Sequence, residues 1–193
     1  MMLKRWRGSV AALAAASVVA LASWAVPAQA ADGIIDQLKF GVLDHDIGIG
    51  GHHKEPGADI NGEVQFTSPS FLGIIWSPRP HLGTDINTDG KTSDIYAGLT
   101  WTLLKFQNIF DSSDAIFLDG SLGGAVHDGH LHGGGSNDKQ LGSRVLFRES
   151  VEIGYQFVPR QSISLFADHI SDAGLTSQNQ GISNLGLRYG YGF

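Results

Sequence analysis

Leu185-Gly186-Leu187-Arg188-Tyr189-Gly190-Tyr191-Gly192-Phe193 is the stretch whose reading decides the fold. In an extended strand, successive side chains point to opposite faces. One face here carries Leu185, Leu187, Tyr189, Tyr191 and Phe193, and the other carries Gly186, Arg188, Gly190 and Gly192. A soluble sandwich or lipocalin-like barrel would bury the leucines and tyrosines and leave an arginine and three glycines outside. A transmembrane barrel inverts the pattern, with apolar residues on lipid and small or polar ones in the lumen. The stretch therefore favours a membrane barrel.

Working outward, the same alternation recurs. Val145, Phe147, Val151, Ile153, Tyr155 and Phe157 oppose Arg148, Ser150, Glu152 and Gln156. Ile95, Ala97, Leu99, Trp101 and Leu103 oppose Asp94, Tyr96, Gly98, Thr100 and Thr102. Ile60, Val64 and Phe66 oppose Asn61, Glu63 and Gln65. Period two with Gly/Asp/Asn/Pro/Ser-rich breaks is the pattern of strands and turns. Eight strands are expected, near 37–48, 59–68, 72–81, 92–104, 115–127, 143–157, 161–171 and 183–193. Short links fall at 68–71 and 158–160. Long ones fall at 48–58, 81–91, 128–142 and 172–182. Short turns belong on the periplasmic side and long loops outside. The fold class is therefore all-β, an eight-stranded antiparallel outer-membrane β-barrel. A barrel of that size is filled by side chains. The alternating aromatics that end on Phe193 also resemble the C-terminal signature of outer-membrane barrel proteins.

Residues 1–30 read as a signal peptide: basic Lys4, Arg5 and Arg7, an apolar run over 10–26, then Ala28-Gln29-Ala30. The expected domain is 31–193. The leader holds three basic and no acidic residues, so the formal charge of −6 for the whole chain becomes −9 for the remainder. That charge excludes a nucleic-acid partner. With no cysteine, neither disulfides nor thiol chemistry arises.

Functional chemistry concentrates in Phe166-Ala167-Asp168-His169-Ile170-Ser171-Asp172-Ala173-Gly174-Leu175. Ile163, Leu165, Ala167, His169 and Ser171 share one face. An imidazole and a hydroxyl two residues apart on one face suit an activated nucleophile. Parity turns that face to lipid, and the chain path puts its end at the extracellular rim.

The segment His169-Ile-Ser171-Asp172-Ala173-Gly174-Leu175, with Asn179-Gln180-Gly181-Ile182 and Leu185-Gly-Leu-Arg-Tyr189, resembles the lipid A 3-O-deacylase family of outer-membrane barrels. Arg79-Pro80-His81-Leu82-Gly83, Tyr96-Ala97-Gly98-Leu99-Thr100-Trp101 and Phe147-Arg148-Glu149-Ser150-Val151-Glu152 also look like that family. The resemblance implies a carboxylic-ester hydrolase that removes a 3-O-linked acyl chain from lipid A (lipopolysaccharide) in the outer leaflet, with no metal and no cofactor. Ser171 would be the nucleophile and His169 its general base. The oxyanion would take donors from the Ala173 and Gly174 amides and the Asn179 side chain.

Two positions depart from the family. Its third catalytic member is an acid fourteen residues after the histidine, where this chain has Ser183. The asparagine that usually follows the serine is Asp172. Ser183 shares the parity of Leu185, so its hydroxyl could meet the ring. Glu149 interrupts the outward series, and a tight turn at 158–160 sets either Glu149 or Val151 opposite His169. Glu149 is therefore the second candidate partner of the histidine. The residues alone also admit a catalytically degenerate structural or interaction barrel, or a periplasmic lipid-binding β-protein. A second copy of the chain is a candidate membrane partner.

Other constellations are weaker. His52-His53, and His127, His130 and His132, read as loop histidines without a fixed fourth metal ligand. Asp85-Ile-Asn87-Thr-Asp89-Gly90 has the opening of a calcium loop, but the twelfth position is Tyr96, not Glu. It reads as a glycine turn in an outer loop.

Overall fold

A computed structural model describes residues 33–49 and 52–193. The expected leader lies outside the described residues. Eight strands close into one antiparallel barrel, each paired with its sequence neighbours and the last with the first. They are β1 (Ile35–Asp44), β2 (Ala58–Phe66), β3 (Arg79–Asn87), β4 (Asp94–Gln107), β5 (Ala115–His127), β6 (Val145–Val158), β7 (Gln161–Ser171) and β8 (Ile182–Gly192). Closure leaves no free edge, as a bilayer requires.

The faces follow the alternation. Outward Phe40, Ile95, Leu122, Phe147, Ile153, Leu165 and Leu187 are exposed, whereas inward Lys39, Glu63, Arg148, Glu152, Asp168 and Arg188 are buried. Ion pairs fill the lumen: Lys39 Nζ lies 2.7 Å from Glu152, Arg188 Nη2 lies 3.0 Å from Glu63, and Arg148 Nη2 lies 2.6 Å from Asp168. The Tyr96 hydroxyl donates to Glu63 at 3.0 Å. Towards the outer end the polar plug gives way to a small apolar cluster that includes Ala125, Leu141, Leu146, Ile170 and Ile182.

The third strand is a correction. Residues 72–81 were expected to be extended, but Ser70–Ile75 form a 3-10 helix and the strand is Arg79–Asn87. Phe71-Leu-Gly-Ile-Ile-Trp76 is a continuous apolar run with no alternation. The helix starts after Pro69, and Trp76 and Ser77 take positive φ (66° and 51°) to leave it. The inner turn is therefore the long one at this hairpin, and the outer turn is only residues 88–93. Asp85 and Asn87 consequently stand on β3 with their side chains buried in the lumen. Asn87 caps the following turn, accepting from the Asp89 and Lys91 amides at 2.9 and 3.0 Å.

A bulge on β4 also escaped the alternation. Thr102 pairs with Asp119, and Leu104 pairs with Leu118, leaving Leu103 as the extra residue. The bulge reverses parity beyond it. Leu104 and Phe106 then meet lipid, and Lys105 lines the inner mouth of the lumen.

Candidate active site

β7 carries His169 and Ser171 on its outward face at the outer end of the barrel. The ladders place Glu149 of β6 directly opposite His169 on one side and Ser183 of β8 opposite it on the other. One rung across three strands therefore reads Glu149, His169, Ser183. Ser171 lies two rungs nearer the rim, opposite Phe147. On the inward face, Ile170 and Ile182 are buried and hold the two strands against the apolar cluster behind the site.

The ring is held at both edges. His169 Nδ1 lies 2.7 Å from Ser183 Oγ, and the Ser183 hydroxyl donates to the carbonyl of Ile49 at 2.7 Å. Since that hydroxyl has one proton, Nδ1–H of the ring is the donor to Ser183, and Nε2 is left with its lone pair. At the other edge, a Cβ added to Gly181 would fall 2.8 Å from the ring's Cε1 and 3.1 Å from Nε2. Gly181 also has a positive φ of 47°. The glycine is required there twice over, by backbone conformation and by close approach.

No hydrogen bond joins Ser171 to the ring among the described residues. Its hydroxyl accepts a long bond from the Ala173 amide at 3.4 Å. Neither a hydrogen bond nor an ion pair joins Glu149 to His169, and Glu149 is exposed. Unliganded sites often hold the base and nucleophile in loose geometry that tightens with substrate.

Asp172 organises the loop that follows. Its carboxylate accepts from the amides of Gly174 (2.8 Å) and Thr176 (3.0 Å) and from the Thr176 hydroxyl. The Thr176 hydroxyl, with these amides, holds the acid below the usual carboxylate range despite burial. This is the work an asparagine oxygen does in an Asx turn, so the substitution preserves the turn. It also engages the Gly174 amide, one of the three expected oxyanion donors. The Asn179 side-chain oxygen accepts from the Asp172 amide at 3.1 Å, and its NH₂ group makes no hydrogen bond among the described residues.

A cavity of about 440 Å³ opens on the outer wall beside the ring. Its walls include Ile47 and Ile49 of the first outer loop (45–57), together with Glu149, Val151, Ala167, His169 and Ser183. Val151 and Ala167 are paired across β6 and β7. The small Ala167 side chain makes the notch below the ring. A larger cavity, about 520 Å³, lies at the inner mouth of the lumen and touches none of these residues.

The first outer loop is anchored by a buried charged trio. His45 Nδ1 lies 2.8 Å from Asp59 and Nε2 lies 3.2 Å from Glu55. Burial alone would lower the His45 pKa, but hydrogen bonds and charge from Asp59 and Glu55 raise it to about 9. Burial likewise disfavours Glu55 as an anion, but His45 and the Lys139 and Thr92 amides bring it down to about 2. A histidine raised in this way contributes its stability in full below 6.5 and loses it as pH climbs through 9. Glu55 contributes above 4.5 and loses its share as pH falls through 2. The loop is therefore held most firmly between pH 4.5 and 6.5. Hydrogen exchange at the Lys54, Glu55 and Thr92 amides should show protection that drops above pH 9. Protection unchanged up to pH ~10, above that raised value, would mean that the proton on His45 does not hold the loop.

Sequence reasoning missed this loop, because nothing in its composition signals that Ile47 and Ile49 fold back over the wall. It also missed Lys139, which is buried among three outer loops. Of the histidines read as loop residues, His127 instead ends β5, is buried, and donates from Nε2 to the Ser143 carbonyl at 2.7 Å. Among the described residues, no three His, Cys, Asp or Glu side chains converge as metal ligands.

A closed barrel with an apolar exterior and an ion-paired lumen is a transmembrane barrel of the outer-membrane type, and this one carries its candidate histidine and serine on the lipid-facing rim. Comparison with known proteins gives the family. The model of the family described as lipid A 3-O-deacylase (PagL) matches residues 85–192, more than half of the sequence, and the chain belongs to that family. Lipid A deacylase PagL of Pseudomonas aeruginosa PAO1 is 34% identical over 73 residues, 38% of this chain; the match spans 40% of that protein's length. The crystal structure of the outer membrane enzyme PagL superposes with a TM-score of 0.62 at 19% identity, covering 81% of this chain and 99% of that one.

Proposed function

We propose that this chain is an outer-membrane esterase that removes the 3-O-linked acyl chain of lipid A, with Ser171 as nucleophile and His169 as general base. The observation that carries the reading is the apolar cavity beside His169. It is cut into the lipid-facing wall, not the lumen, so its substrate is a neighbouring lipid. An acyl chain lying over Ala167 and Val151 would bring its ester to the rim. Ser171 Oγ then attacks the acyl carbon while His169 Nε2 takes its proton. The tetrahedral oxyanion has the Ala173 amide and the Asn179 NH₂ group as donors. Collapse breaks the bond to the sugar oxygen, which leaves with the proton from Nε2. Water, deprotonated by the same nitrogen, frees the fatty acid and restores Ser171.

The test is mass spectrometry of lipid A from outer membranes that carry the wild-type chain or Ser171→Ala. Wild type should lose one 3-O-linked acyl chain, and the variant should leave lipid A intact while still running as a heat-modifiable folded barrel. Intact lipid A in both would instead support a catalytically degenerate structural barrel.

A further inference from the structure

We propose that Lys139 is a positioning residue for His169: one buried ammonium clamps the two loops on which the opposite edges of the ring rest. The proposal builds on the esterase reading of the site.

Lys139 belongs to the third outer loop (128–144) and is 2% exposed. A buried ammonium is costly unless it is paired and its protons find acceptors, and this one has a carboxylate beside it and two carbonyls as acceptors. Nζ lies 2.9 Å from Asp46 Oδ1 in the first loop. It donates to the Gln180 carbonyl at 3.2 Å and the Gly181 carbonyl at 3.0 Å, both in the fourth loop (172–181). The Lys139 amide adds a bond to Glu55 at 2.6 Å, back on the first loop.

Each contact leads to the ring. Gly181 is the residue packed against Cε1 and Nε2 of His169. Asp46 immediately precedes Ile47, whose amide donates to the Ser183 carbonyl at 2.8 Å. Three residues beyond Asp46, the Ile49 carbonyl takes the Ser183 proton and so makes Nδ1 the protonated nitrogen. The partner of Nδ1 in this chain is a hydroxyl that relays to a loop carbonyl, not a carboxylate. A carboxylate carries its own charge wherever its loop sits, whereas a carbonyl acts only if the loop is seated. The chain therefore needs a clamp on the first loop, and Lys139 is at the point where that loop meets the one bearing Gly181. The barrel itself does not depend on it, because the strands are held by their own ladders.

The experiment compares wild type with Lys139→Met, which keeps the aliphatic stem and removes the charge. In wild type, ¹⁵N-histidine NMR should show His169 as the Nδ1–H tautomer. In Lys139→Met that signature should give way to a tautomer mixture. On purified lipid A, kcat should fall up to about 100-fold, the scale of a small misplacement in a site, with KM changed much less. A purely structural lysine would lower thermal stability and leave the tautomer and the kcat-to-KM split untouched, and that result overturns the proposal. Should Lys139→Met not fold, Asp46→Asn must move the tautomer in the same direction, and a wild-type spectrum there also overturns it. Because NMR needs no turnover, the clamp is judged even if wild type and Ser171→Ala both leave lipid A intact, which would defeat the esterase reading instead.

Discussion

His169→Gln is expected to slow deacylation by roughly four orders of magnitude or more, the scale at which serine hydrolases respond to loss of the base. A serine hydroxyl is a poor nucleophile unless a neighbouring base removes its proton as it attacks. A neutral imidazole does this through the lone pair of its unprotonated ring nitrogen. Glutamine is the informative replacement. Its NH₂ can still donate to Ser183, which donates on to Ile49, so the rung keeps its polar partner and the site keeps its shape. What is lost is the lone pair at Nε2. The measurement is fatty-acid release from purified lipid A by folded, heat-modifiable protein. A variant within tenfold of wild type would remove His169 from the role of base and turn attention to Glu149, its cross-strand neighbour.

Arg148→Ala is expected to cost about 3–5 kcal/mol of barrel stability, the usual penalty for breaking a buried ion pair from one side. Arg148 is 3% exposed, and its guanidinium lies 2.6 Å from Asp168 and 3.8 Å from Asp85. It also stacks 3.5 Å over the Tyr96 ring. Alanine would leave two carboxylates in the lumen without a counter-charge and remove the surface on which Tyr96 packs. Urea unfolding in detergent micelles, followed by tryptophan fluorescence, measures the loss. The triple variant Arg148→Met/Asp85→Asn/Asp168→Asn should recover most of it, because it removes both signs of charge and restores some volume. A single variant as stable as wild type would show that the lumen network does not hold the barrel together.

Glu149 and Arg148 are neighbours in sequence, yet they answer to different solvents. Arg148 faces the lumen and Glu149 the membrane rim, as strand parity demands. Near the interface an outward carboxylate costs little, so its presence there is compatible with the barrel.

The sequence by itself determined the barrel, its inside and its outside. Side-chain alternation is a local property, and a one-residue slip would turn Arg188 or Glu152 to lipid, so the register had no alternative. It failed where alternation was interrupted: the apolar run before Pro78 became a 3-10 helix, and the bulge at Leu103 brought Lys105 back to the lumen. The His169–Ser171 pair was legible because spacing of two on a strand means a shared face. The expected turn at 158–160 narrowed the residue opposite His169 to Glu149 or Val151, and only the ladder chose Glu149. Of the seat of the ring, Ser183 alone was legible, from its parity and its place on β8. Ile49, Gly181 and Lys139 come from three loops, and their meeting depends on contacts between residues more than forty positions apart. No periodicity records such contacts. They exist only once the barrel brings the ends of its strands together.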